Sequence, residues 1–96
     1  MKQPLSCSAT DSLEAAIVLK RIMTIEYLDE NAVSVTLNDV RLTNLWTKDK
    51  VEWLELTTSD SQKITIRTDV ILQFESSENI PPFISFSRKS KADGSE

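Results

Sequence analysis

The sequence predicts a mainly β fold with one N-terminal α-helix, in which a strongly bent antiparallel sheet forms a small barrel. Three observations point there. Apolar residues between Ser12 and Leu19 recur at helical spacing behind a run of cap-forming side chains. From Ile22 onward the period changes to two, in five or six short runs separated by polar turns. A length of 96 residues supports one small domain and no second.

Residues 1–9 are polar with a proline and read as an extended lead-in; residues 10–87 read as the single domain. In Thr10-Asp11-Ser12-Leu13-Glu14, Asp11 can accept from the free N–H groups of a first helical turn, and Glu14 can bond back as in a capping box. Leu13, Ala16, Ile17 and Lys20 share one face, and Ala15, Val18 and Leu19 widen the apolar stripe, so a helix is expected over Ser12 to Leu19. Ile22 to Leu28 alternates, with Met23, Ile25 and Tyr27 on one side. Asp29-Glu30-Asn31 turns, with Asn31 the expected residue at positive φ. Ala32 to Asn38 returns as a strand with Val33, Val35 and Leu37 inward.

Asp39 to Lys50 follows no sustained period: Val40, Leu42, Leu45 and Trp46 are apolar, and the stretch reads as a strand continuation or short turn entering a charged loop. Val51 to Thr57 is a third strand rich in β-formers, Gln62 to Arg67 its partner, and Val70 to Phe74 a fifth. Pro81-Pro82 stiffens a polar loop before a last short strand, Phe83 to Phe86. Residues 88–96 read as a flexible tail. A helix over one open end of such a sheet is the outline of an Sm-like or SH3-like small barrel.

Composition excludes most chemistry. The only glycine is Gly94, which removes Gly-rich phosphate loops, dinucleotide fingerprints and the G-x-S-x-G turn. There is no histidine, hence no Ser-His-Asp triad or histidine metal ligand, and Cys7 is the only cysteine. No enzyme activity, cofactor or metal is expected. Cys7 has no histidine to activate it and is read as a small packed side chain. No apolar run approaches the ~20 residues of a membrane span, and Met1-Lys2-Gln3-Pro4 is not followed by a secretory apolar stretch. With an unpaired cysteine, the chain is expected to be cytoplasmic. Net charge is −4; residues 1–87 hold eight bases and thirteen acids, so the body stands at −5. Such a body is repelled by phosphates and attracted to basic protein surfaces, so no direct nucleic acid partner and no membrane are expected.

Several local signatures then fall into one order. Pro4-Leu5-Ser6-Cys7 precedes Asp11-Ser12-Leu13-Glu14-Ala15-Ala16, then Thr24-Ile25-Glu26, then Val51-Glu52-Trp53-Leu54, and Asp69-Val70-Ile71-Leu72-Gln73-Phe74 closes the series. Together they resemble the Rof (YaeO) family, the Rho-binding antiterminators of bacteria, over about residues 4–87. The resemblance implies an Sm-like fold and binding to the N-terminal, RNA-gripping domain of the termination factor Rho, blocking its primary RNA site. Carried over by position, the partner-binding residues are Asp11, Ser12, Leu13, Glu14 and Ile17 on the helix, and Lys48, Asp49 and Lys50 in the loop before the Val51-Glu52-Trp53-Leu54 strand. The chain departs from the family pattern in a longer segment from Asp39 to Val51, which contains Trp46, and in lacking Asp-Gly at Asp29-Glu30.

Each candidate has a structural reading beside the functional one. Asp11 and Glu14 cap a helix, and a capping carboxylate can still meet a partner arginine. Leu13 and Ile17 belong to an apolar face, and spacing does not say which face of the helix is out. Trp46 either anchors a partner or folds back over the barrel end. Trp53 is expected in the core, and Glu26, Asp29, Glu30, Glu52, Glu55 and Asp60 form a solvated acidic surface. Two function classes remain open: an inhibitor that occupies Rho as a monomer, and an Sm-like RNA-binding protein using Lys48 and Lys50 near Trp46.

Overall fold

The structure, a computed structural model, describes residues 5–88. The helix α1 spans Cys7–Val18 and is followed by β1 (Ile22–Leu28), β2 (Ser34–Lys48), β3 (Val51–Thr57), β4 (Lys63–Arg67), a 3₁₀ turn at Thr68–Val70, β5 (Ile71–Ser76) and β6 (Ser85–Ser87). The six strands form one antiparallel sheet in the order β4-β3-β2-β1-β5-β6.

The helix starts five residues earlier than the apolar period suggests. Ser6 is its N-cap, and the Ser6 Oγ accepts from the Ala9 N–H at 3.2 Å. Asp11 and Glu14 therefore lie inside the helix and cap nothing, and Cys7 to Ala9 are helical where a lead-in was expected. The polar opening turn, Ser8 and Thr10, lacks the apolar spacing that flags a helix, which is why the period places the start too late. At the other end Lys20 N–H bonds to the Ile17 carbonyl and Arg21 N–H to the Ala16 carbonyl. This is a Schellman closure with Lys20 at φ 56° in the place glycine usually takes.

The stretch from Asp39 to Lys48 is the strand continuation, not a charged loop, and only Asp49 and Lys50 turn. It continues β2, a 15-residue strand interrupted by two bulges. Opposite β1, Met23 pairs with Val40 but Ile25 with Leu37, so Asn38 and Asp39 together face Thr24, with Asp39 at φ 56°. Opposite β3, Leu42 pairs with Leu56 and Asn44 with Glu55, which leaves Thr43 as the extra residue. Each extra residue flips the alternation. Leu37 points inward before the first bulge, Val40 and Leu42 after it, and Leu45 after the second. The broken period is a regular strand read through two shifts. β5 carries a third: Phe74 pairs with Ile25 but Ile71 with Tyr27, and both Ile71 and Phe74 are buried.

The bulges let one strand serve two partners, β1 along its first half and β3 along its second. The sheet is bent, but its hydrogen bonding does not close: β4 and β6 are its edges, so the small barrel expected from the sequence is an open sheet. The bend is required by connectivity. In a flat sheet β4 and β5 would sit four strand spacings apart, about 19 Å. The three residues Thr68–Val70 join them, and a 3₁₀ turn rises only about 2 Å per residue. Met23, Ile25, Leu42, Leu54, Leu56 and Phe74 fill the concave side, and Leu13 and Ala16 of α1 complete that core.

One tight turn was read differently from sequence. In the β1–β2 turn Asp29 Oδ1 accepts from the N–H groups of Asn31 and Val33, and Ala32, not Asn31, takes φ 60°. Val33 is 56% exposed and precedes the strand instead of pointing inward. Arg88, expected to open the tail, is anchored: its Nε donates to the Ile71 carbonyl at 2.6 Å and its guanidinium stands over Phe86. Residues 89–96, residues 1–4 and the side chain of Cys7 lie outside the described residues.

Candidate functional site

The residues singled out from sequence fall into three groups once folded. Leu13 is fully buried among the core side chains and has no surface to offer a partner; its place in the partner-binding set is corrected by burial alone. Ile17 packs half-buried against the same core. Asp11 and Glu14 are exposed on the opposite face, and Ser12 is half-buried, with its hydroxyl donating to the Ser8 carbonyl at 3.1 Å. The choice of outer face, open from spacing, is thereby made.

The second group lies around a shallow cleft of about 400 Å³ where the start of α1 meets the β2–β3 turn and the 3₁₀ turn. Asp11 lines it from the helix, Lys50 from the turn and Asp69 from the 3₁₀ turn. Its floor carries Glu52, whose Oε1 accepts from the Thr68 hydroxyl at 2.9 Å and from the Thr10 hydroxyl at 3.5 Å. Thr68 is buried, so its hydroxyl depends on this carboxylate. Glu52 thus ties helix, sheet and 3₁₀ turn together, a role invisible in a sequence that reads it as one more surface acid. Asp69 is held by a two-point pair with Arg67, Nε to Oδ1 at 3.1 Å and Nη2 to Oδ2 at 2.7 Å. That hydrogen bond raises the Arg67 guanidinium above its ordinary pKa, against a smaller opposing effect of desolvation.

Other acids assigned to a solvated surface also hold local structure. Glu26 accepts from Gln73 at 2.9 Å and from the Ser34 hydroxyl, and Glu55 accepts from the Thr43 hydroxyl at 2.9 Å, which pins the second bulge. Glu30 and Asp60 are exposed.

The third group is on the outer face of the sheet. Trp46 is in β2, not in a loop, and pairs directly with Trp53 of β3. Both are half-buried, so Trp53 is not in the core, and the two line one concavity with Lys48, Asp49 and Thr65. Arg67 lies 6.0 Å from the centre of the Trp53 ring. Asp49 and Lys50 form the two-residue turn itself at φ 55° and 67°, the positive pair of a tight hairpin connection that needs no longer loop.

Among the described residues no group of His, Cys, Asp or Glu is arranged to hold a metal, and no helix is long and apolar enough to cross a membrane. The sequence matches no family model and no curated protein.

Proposed function

We propose that this chain is a protein-binding inhibitor of the transcription termination factor Rho, built on an Sm-like fold. It occupies the N-terminal RNA-binding region of Rho as a cytoplasmic monomer and blocks RNA loading by steric competition, without catalysis or a cofactor. The observation that supports this most directly is the shared cleft: Asp11 of α1 and Lys50 of the β2–β3 turn line one cavity. Those two segments, far apart in sequence, are the ones the family resemblance assigns to the partner. The charge is favourable as well, since a body at −5 is drawn at long range to a cleft built to hold phosphates.

The deciding experiment is binding of the purified protein to the Rho hexamer, with and without competing single-stranded RNA. The expected result is capture that weakens as salt rises and is displaced by RNA. A D11K/E14K double variant that stays folded is expected to lose capture. Wild-type protein that is not captured, or capture that RNA leaves unchanged, would overturn the reading.

A second reading, direct RNA binding, is favoured by one observation: Trp46 and Trp53 stand side by side with Lys48 and Arg67 at hand, the makings of a base-stacking surface. The pairing of Arg67 to Asp69 and the acidic body weigh against it. Quenching of tryptophan fluorescence by single-stranded RNA at low salt, in the absence of Rho, would revive it.

A further inference from the structure

Between β5 and β6 the chain rises in an arch over residues 77–83 whose feet are tied down and whose top is bare. At the first foot Ser77 N–H donates to the Ile22 carbonyl at 2.8 Å, and Glu78 Oε1 accepts from Ile22 N–H at 3.2 Å. Arg21 Nη2 holds the Pro81 carbonyl at 2.8 Å. At the second foot Ile84 is buried and its N–H donates to the Ser76 hydroxyl at 3.0 Å, while its carbonyl accepts from Ser76 N–H at 2.8 Å. Yet Phe83 is 63% exposed and Ile80 48%. A single exposed apolar side chain is unremarkable on its own, but Phe83, with Pro82 beside it on an arch tied down at both feet, forms an apolar shoulder held in place before any partner arrives.

That shoulder adjoins the outer face of α1. Pro82 and Phe83 share a concavity of about 490 Å³ with Asp11, Ser12 and Ala15 of the helix. Asp11 supplies its charge, and no cationic side chain among the described residues lines it. Glu14, exposed one turn further along the helix, extends the negative surface.

We infer that the outer face of α1 and the Phe83 arch are one docking surface for a protein partner that presents a cationic side chain beside an apolar recess. The cation meets Asp11, and the recess takes up Phe83. Charge complementarity selects this occupant: the negative charge lies on one side of the concavity and the bare ring on the other, so a purely apolar or purely basic surface would satisfy only half of it. The pinned arch lowers the ordering cost of binding, and an aromatic ring in such a position is the usual anchor of an interface. The inference rests on the reading above in taking Rho as the first partner to try; the surface itself follows from the fold.

The test measures binding of wild type, F83S, D11K and the control V33S to the Rho hexamer, then to a synthetic amphipathic helical peptide that places arginines beside leucines. All three substituted residues are exposed, so the fold is expected to persist in each, checked by circular dichroism. F83S and D11K are each expected to bind about tenfold or more weakly, with V33S unchanged. Rho binding at wild-type strength by F83S would overturn this inference and leave the Rho reading standing. Failure of Rho to bind, with the peptide bound by wild type and lost in F83S, would overturn the Rho reading and uphold the surface. Failure of both probes would overturn both. A wild-type dimer that F83S converts to a monomer would assign the arch to a second copy of the chain and overturn the inference.

Discussion

The two faces of α1 are made from one twelve-residue segment and do opposite things. The inner face, Leu13 and Ala16, is fully excluded from water and finishes the core of the bent sheet. The outer face, Asp11, Glu14 and Val18, touches little of its own chain, and Val18 is 76% exposed. The contrast teaches that one helix of a small domain can close the core with one face and leave the other to solvent. The inner residues cannot change without cost to folding, and the outer acids are free to change with little cost to it. It also explains why a position-by-position transfer of binding residues fails at Leu13 but leaves Asp11 and Glu14 available.

That separation can be broken experimentally. Leu13→Ala should be the most damaging change, at about 3 kcal/mol for a buried leucine left as a cavity, read as a fall in the urea midpoint. Glu52→Ala comes next at about 2 kcal/mol, because it strands the buried Thr68 hydroxyl beneath the helix; thermal unfolding followed by far-ultraviolet dichroism would show it. If the change proved neutral, the carboxylate would not be what joins helix, sheet and 3₁₀ turn. Ser6→Ala should cost about 1 kcal/mol by removing the real N-cap, whereas Asp11→Ala should stay within about 0.5 kcal/mol. Paired denaturation curves decide between the two residues, and the reverse order would restore the cap to Asp11. Lys20→Gly should stabilise by about 0.5–1 kcal/mol, since glycine takes the left-handed C-terminal position without a side-chain penalty. Slower amide exchange in the last turn of α1 is the matching local readout.

Left-handed positions among the described residues are filled without glycine. Lys20, Ala32, Asp39, Asp49, Lys50 and Ser61 all have positive φ, and none is glycine. The same strain that Lys20→Gly would relieve is therefore spread over the helix end, a bulge and three turns. At the β1–β2 turn it is stabilised locally, with Asp29 holding two N–H groups around Ala32.

What could be read directly from the sequence was whatever local periodicity controls. β3 lies at Val51–Thr57, where its run of β-formers puts it. β1 lies at Ile22–Leu28, where alternation puts it, because the side chains of a strand point to alternate faces whatever lies across from them. The helix was legible for the same reason, though not its first turn. The absence of histidine and of any glycine before Gly94 is likewise read with no fold in hand. The tertiary structure decided everything that depends on a neighbour distant in sequence. The bulges at Asn38-Asp39 and Thr43 exist only against β1 and β3, and without them β2 reads as noise. Glu52 became a tie because Thr10 and Thr68 were brought to it, and Trp46 became the neighbour of Trp53 because the bulged strand kept its pairing to the end. Which face of α1 looks outward, and that Phe83 stands beside it, follows from where the curled sheet offers its open end. Alternation is a property of the chain, whereas burial is a property of the chain's partners, and only folding supplies those.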